Sequence, residues 1–399
     1  MKRMTLGRVA IVLALGTGAV SLTFGDHEQA EASLRTFYAQ VEAADFKAAG
    51  KSIDEAVHLW PSNARYYAWR GYAASQELPS QCPKRGARLD GKTLEQARRA
   101  AADYRHALEL NDRDAVAHHN LAWIDLLLGE GREARREWEQ AIATDPETAI
   151  YHLSLGFFLE ETGDSDGAKR QYLAAIELTP AILDSPFFTR YRSRFPGWAE
   201  GVVQEAAAET ERRLAGSDDP ILKARLGKFC LYQGDLQRAA GLLESAERSL
   251  PNLPMVWFNL GEVRRLQGNQ GEAWACYEKA KFLDESLAGP ALRMGEMYRQ
   301  AGHRNPAVEN LRAAARKWTH VKPVTAAHNT RLYGGVPQTI DDLLPTTLVW
   351  YTSPCEASAA YTALAAMMPE NKLYASRSRT CESLPAPHGD TPETGGTSR

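Results

Sequence analysis

Histidine, cysteine and the carboxylates are the side chains of this chain with most chemistry to offer, and their spacing assembles no reaction centre. His118 and His119 are adjacent, so on a helix they point about 100° apart and cannot form a two-ligand metal face. His118 and His152 occupy matching surroundings, which suits histidines packed between helices better than metal ligands. His320 and His328 have no acidic or cysteine partner at ligand spacing. No phosphate-cradling glycine loop, His-Glu-x-x-His, Cys-x-x-Cys or nucleophile elbow occurs. Of the five cysteines, Cys230 and Cys276 read as small apolar fillers of helices, whereas Cys82, Cys355 and Cys381 fall in irregular stretches. The expectation is a protein that is not an enzyme and carries no metal or other cofactor. With 47 basic and 50 acidic residues the net charge is -3, so no basic nucleic-acid surface is expected either.

The elements that would position any binding residue are written as a repeat. Leu121, Ala134, Trp138, Ala141 and Pro146 recur 34 positions on as Leu155, Ala168, Tyr172, Ala175 and Pro180. Ala122 answers to Gly156, and Gly129 to Gly163. The register returns in Leu226-Gly227, Leu260-Gly261 and Met294-Gly295, with turn glycines Gly234, Gly268 and Gly302. The small pairs Ala239/Ala246, Ala273/Ala280 and Ala307/Ala314 keep the same step. A fixed period of this length means stacked helical hairpins. Small residues let paired helices approach, the aromatic fills the gap, and Pro stops the second helix.

This pattern resembles the tetratricopeptide repeat. The resemblance implies an all-α, right-handed superhelical solenoid of about eight hairpins with a C-terminal cap. An N-terminal array spans 30–182, a degenerate repeat 183–219 and a C-terminal array 220–321. Within the first, 78–94 is surplus to the repeat and rich in Pro and Gly, hence a loop. In the degenerate repeat, helices are expected at Pro186–Phe195 and Trp198–Leu214, with Pro196-Gly197 as the turn. Residues 322–384 form the cap, with a helix from Glu356 to Met368, and 385–399 is a Pro-, Gly- and Thr-rich tail.

Residues 1–25 read as a signal peptide or an N-terminal membrane anchor. Lys2, Arg3 and Arg8 precede an uncharged run from Val9 to Phe24, which favours export of the body to the periplasmic side of a bacterial inner membrane. In an exported body, Cys355 and Cys381 are the pair whose disulfide would staple the cap, though sequence alone leaves connectivity open.

The family resemblance also places positions 2, 5, 6, 9, 12 and 13 of each repeat on the concave face. One patch then presents Asn120, Trp123 and Phe157, and another Arg225, Lys228, Asn259 and Arg293. The second patch suits an acidic or carboxylate-bearing protein or peptide partner. Asn259 and Arg293 match in type two positions of the carboxylate clamp of chaperone-binding members, while Ala224, Lys228 and Gly289 depart from it. The first patch suits stacking on a glycan. His118-Asn-Leu-Ala-Trp, Tyr151-His-Leu-Ser-Leu-Gly and Leu183-Asp-Ser-Pro-Phe-Phe are similar to repeat segments of bacterial O-antigen ligase or polymerase-type envelope proteins. That similarity implies a membrane-bound envelope complex, or an accessory role in surface-polysaccharide assembly. The expected function is therefore a scaffold for a protein or peptide partner at the cell envelope, with a glycan-handling accessory as the alternative.

Overall fold

The computed structural model describes residues 24–42, 45–76, 78, 89–184, 188, 196–285, 287–319 and 358–379. Residues 1–23 of the signal or anchor segment, most of the insertion, Cys82, Cys355, Cys381 and the C-terminal tail lie outside these residues. Every regular element described is a helix, and no described helix is long and apolar enough to cross a membrane. The chain forms two compact units, one ending at Pro146 and the other beginning at Glu147.

The first unit contains three hairpins: α1 (Phe24–Glu42) with α2 (Phe46–Leu59), α3 (Ala64–Gln76) with α4 (Gly91–Leu110), and α5 (Ala115–Leu128) with α6 (Gly131–Thr144). The second opens with α7 (Ala149–Glu161) and α8 (Ser165–Leu178), followed by a 3-10 turn over Pro180–Asp184 and by α9 (Pro196–Leu214). Three more hairpins follow: α10 (Pro220–Gln233) with α11 (Leu236–Ser249), α12 (Pro254–Leu266) with α13 (Gln270–Leu283), and α14 (Ala288–Gln300) with α15 (Arg304–Thr319). The short helices α16 (Ser358–Met367) and α17 (Lys372–Arg379) close the described chain.

Local chemistry sets these boundaries. Asp114, Asp164, Asp219 and Asp235 cap the helices that follow them by accepting backbone N–H groups that would otherwise lack a partner. Each regular hairpin turns on a glycine, Gly129, Gly163, Gly234, Gly268 or Gly302, with φ between 79° and 89°.

The close approach of paired helices explains the Leu-Gly step. A methyl group on Gly261 would lie 2.5 Å from Cε1 of Tyr277, sixteen residues on, and one on Gly156 would lie 2.6 Å from Cε1 of Tyr172. Gly227 and Gly295 stand in the same relation to Leu243 and Leu311. In the interrupted repeat Gly71 faces Tyr104, 33 residues on, which is the same sixteen plus the 17 residues of the 78–94 insertion. The insertion therefore leaves the hairpin's packing register intact.

Two boundaries differ from expectation. Helix α4 begins inside the expected loop, because Asp90 accepts from the backbone N–H groups of Lys92 and Thr93, both at 3.0 Å. Helix α9 begins at Pro196, where a turn was expected; proline lacks an N–H and its fixed φ suits a first helical position. The expected helix at Pro186–Phe195 lies outside the described residues apart from Phe188, which is buried. Of the segment expected as a cap, residues 358–379 are described, and α16 covers Ser358–Met367 where a helix from Glu356 to Met368 was expected. Ala360, Tyr361 and Leu364 of α16 bury against Ala291, Leu311 and Ala314, and Arg304 donates to the Met367 carbonyl at 2.6 Å.

Candidate functional site

The seven residues singled out from sequence fall on two register positions of the first helices. The position before Leu121, Leu155, Leu226, Leu260 and Met294 holds Asn120, Ser154, Arg225, Asn259 and Arg293. The position two beyond those anchors holds Trp123, Phe157, Lys228, Glu262 and Glu296. The structure gives these residues distinct fates.

In the first unit, Asn120 is 5% exposed and its Oδ1 has no hydrogen-bond partner among the described residues. Trp123 is 2% exposed and meets Trp138 edge-on, with centroids 5.0 Å apart and rings inclined at 79°. This is a correction to the aromatic patch: the hairpin uses the Trp123 ring as packing, so it presents no open face for stacking. Neighbouring His119 is 1% exposed, and burial pushes its imidazole down to about 3, so it stays neutral. His118 Nδ1 lies 2.7 Å from Glu137 Oε2 and its Nε2 3.1 Å from the Asp112 carbonyl. The same pairing recurs a repeat later, with His152 Nδ1 2.8 Å from Gln171 Oε1. Both histidines join the two helices of their own hairpins, as packed histidines would.

In the second unit, Phe157 is partly exposed on α7, and Ser154 is satisfied locally by donating to the Ile150 carbonyl at 2.8 Å. Arg293 is held inside the array. Its Nε donates to Glu262 Oε1 at 3.0 Å and its Nη1 to Glu296 Oε2 at 2.9 Å. Glu262 also accepts from Arg265 Nη2 at 3.0 Å and from the Tyr277 hydroxyl at 2.5 Å. Burial would raise the Glu262 carboxyl, but these donors outweigh it and hold the group below its ordinary value. Of the basic patch expected from sequence, Arg293 forms ion pairs within the protein.

Arg225, Lys228 and Asn259 come together. They line one open pocket with Leu178, Pro180, Ile221, Leu253 and Val256. Asn259 is 5% exposed, and neither its Oδ1 nor the Arg225 Nε has a hydrogen-bond partner among the described residues. Burial pulls the Arg225 guanidinium below its ordinary value. Sequence reasoning missed the walls from Leu178 to Ala181, because they come from the end of α8 and the turn after it, not from the first-helix positions that were read as the concave face. Among the described residues no group of three or more His, Cys, Asp or Glu side chains could hold a metal ion, and Cys230 and Cys276 are thiols.

No family model matches the chain, and no curated protein matches it. Solved structures similar to it include a tetratricopeptide repeat protein from Parabacteroides merdae, with 14% identity over 74% of this chain and 95% of that one and a TM-score of 0.34. PilF of Pseudomonas aeruginosa is similar at 18% identity over 68% of this chain and 93% of that one, with a TM-score of 0.30. YrrB, a tetratricopeptide repeat protein with an unusual peptide-binding site, is similar at 16% identity over 60% and 96%, with a TM-score of 0.25. None of the three is an O-antigen ligase or polymerase. In fold, by its own period, turns and packing, the chain is a helical repeat array of the tetratricopeptide type.

Proposed function

We propose that this chain is a non-enzymatic scaffold that holds a partner protein or peptide on the first-helix face of its repeats, at the bacterial cell envelope. One observation carries the binding part. Asn120 Oδ1, Arg225 Nε and Asn259 Oδ1 share a register position, and each lacks a hydrogen-bond partner among the described residues. A buried polar atom without a partner costs about 1–3 kcal/mol, a cost that a ligand supplying the missing donor or acceptor would offset. The envelope setting rests on sequence alone, on Lys2, Arg3 and Arg8 ahead of the uncharged run to Phe24. A glycan-handling role has less support, since it needs an open ring face and Trp123 is packed against Trp138.

Crosslinked affinity purification from native membranes tests this reading, comparing the wild type with Arg225→Ala/Asn259→Ala. We expect a partner recovered with the wild type to disappear from the double variant. The same partner recovered at equal yield with both would defeat the assignment of this face.

A further inference from the structure

Asp125 occupies a core position of the repeat. It stands four residues beyond the anchor Leu121, where other copies hold Leu159 and Cys230, both buried. Its side chain is 1% exposed, so a carboxyl is enclosed where an apolar group serves elsewhere. Helix α5 packs on α4, α6 and α3, and each supplies or withholds charge. From α4, Arg105 Nη2 donates to Asp125 Oδ1 at 2.5 Å and to Glu130 Oε2, just ahead of α6, at 2.9 Å. From α6, Glu133 and Glu137 add negative charge, and Glu137 is also engaged by His118 of α5. On α3, Arg70 is held by Asp54 and Asp103, and Arg65 donates to the Tyr38 hydroxyl. One half-exposed cation therefore answers Asp125, while three further carboxylates oppose its charge. Burial pushes the Asp125 carboxyl up to about 7, with Arg105 pulling it down and Glu130, Glu137 and Glu133 pushing it further. The same two register positions meet in the second unit with their charges exchanged. There Arg264 of α12 donates to Glu244 of α11 at 2.5 Å, again 20 residues apart. The more buried member is now a guanidinium, which keeps its charge throughout the physiological range. Of the two joints, the Asp125 version alone can shed its buried charge by taking up a proton.

We propose that Asp125 is a proton-operated catch at the joint between the second and third hairpins. Protonated, it lies buried and neutral, and the joint between α4 and α5 stays shut. Ionised, it favours a state in which the joint opens and water reaches the carboxylate. Arg105 holds the ionised form in place, and Glu130 competes for that guanidinium. A carboxyl whose folded value stands above its unfolded one contributes stability at low pH and loses it as pH rises.

Hydrogen exchange of the full-length chain at about pH 6 and about pH 8, corrected for the intrinsic pH dependence of exchange, measures this opening. With a value of about 7 in the closed joint and 3.8 in the open one, linkage gives about a tenfold rise in opening of α4 and α5. Asp125→Asn should remove that factor and leave only the slope of the His118–Glu137 pair. Arg105→Gln should raise opening severalfold at the higher pH and leave it unchanged at the lower, where Asp125 is already mostly neutral. An arginine with a merely structural role would act alike at both. Helices α11 and α12, joined through Arg264, should show no such rise in any of the three proteins. An equal rise in the wild type and Asp125→Asn would overturn the proposal. So would opening that grows toward acid, or an Arg105→Gln effect of the same size at both pH values.

Discussion

His118 and Glu137 show how much a single pair can tie a hairpin to pH. Burial works against the charged imidazole, but its hydrogen bonds with Glu137 and the Asp112 carbonyl outweigh this and raise it above 6.5. Burial likewise works against the Glu137 carboxylate, and His118 more than compensates, holding it below 4.5. A raised histidine stabilises below its unfolded value and loses that contribution as pH climbs through its folded one. A lowered carboxylate stabilises above its unfolded value and loses that contribution as pH falls through its folded one. The pair therefore contributes fully between 4.5 and 6.5 and less on either side. Thermal melts across this range should show the first unit losing stability above and below the window. Glu137→Gln should flatten both slopes, because the amide keeps the hydrogen bond without the charge; an unchanged profile would refute the pairing. At this scale the sequence was half legible. The packed state of His118 followed from its repeat position, whereas its partner, 19 residues away on the other helix, was invisible. Arg293 could be recognised as a cation, but its engagement by Glu262 from the preceding repeat could not be read from spacing alone.

The hairpin was the most legible element, since one packing solution is repeated. A glycine on the first helix meets a large residue sixteen positions later, and the period exposes both. Gly261→Ala should cost about 1–3 kcal/mol, because the new methyl group would enter the fully buried Tyr277 ring, which is tethered through its hydroxyl to Glu262. Gly241, on the exposed side of α11 with nothing within 4 Å, supplies the contrast: Gly241→Ala should gain up to about 1 kcal/mol. Urea denaturation of the two variants checks both signs, and a gain in both would mean that helix propensity, not close approach, governs these positions. Elements without a repeating partner were less legible. Asp90 extends α4 into the expected loop, and Pro196 starts a helix where a Pro-Gly pair suggested a turn, because capping chemistry acts locally and ignores the period.

At the scale of the whole chain, the described helices pack mainly on their neighbours in sequence, so the array should respond to damage locally. Leu364, fully buried on Leu311 and its neighbours, tests this at the cap. Leu364→Ala removes most of a buried side chain and should cost about 2–5 kcal/mol there. Hydrogen exchange should show faster opening in α14 and α15 while α1 and α2 keep their protection. Uniform loss of protection throughout the chain would contradict a nearest-neighbour array. Architecture was legible at this scale because five strong copies corroborate one another, whereas a ligand is specified by a few side chains whose neighbours come from different repeats.

Glu262 has a kinetic consequence. Together with Glu296 it sets two carboxylates against the Arg265 and Arg293 guanidinium groups and so offsets their charge in the field that an approaching ligand would feel. Attraction at a distance would then come mainly from the short stretch around Arg225, set among apolar walls. Encounter would be governed by orientational search more than by steering, so the association rate should change little between dilute and physiological salt. Discrimination would then reside in how long a ligand stays.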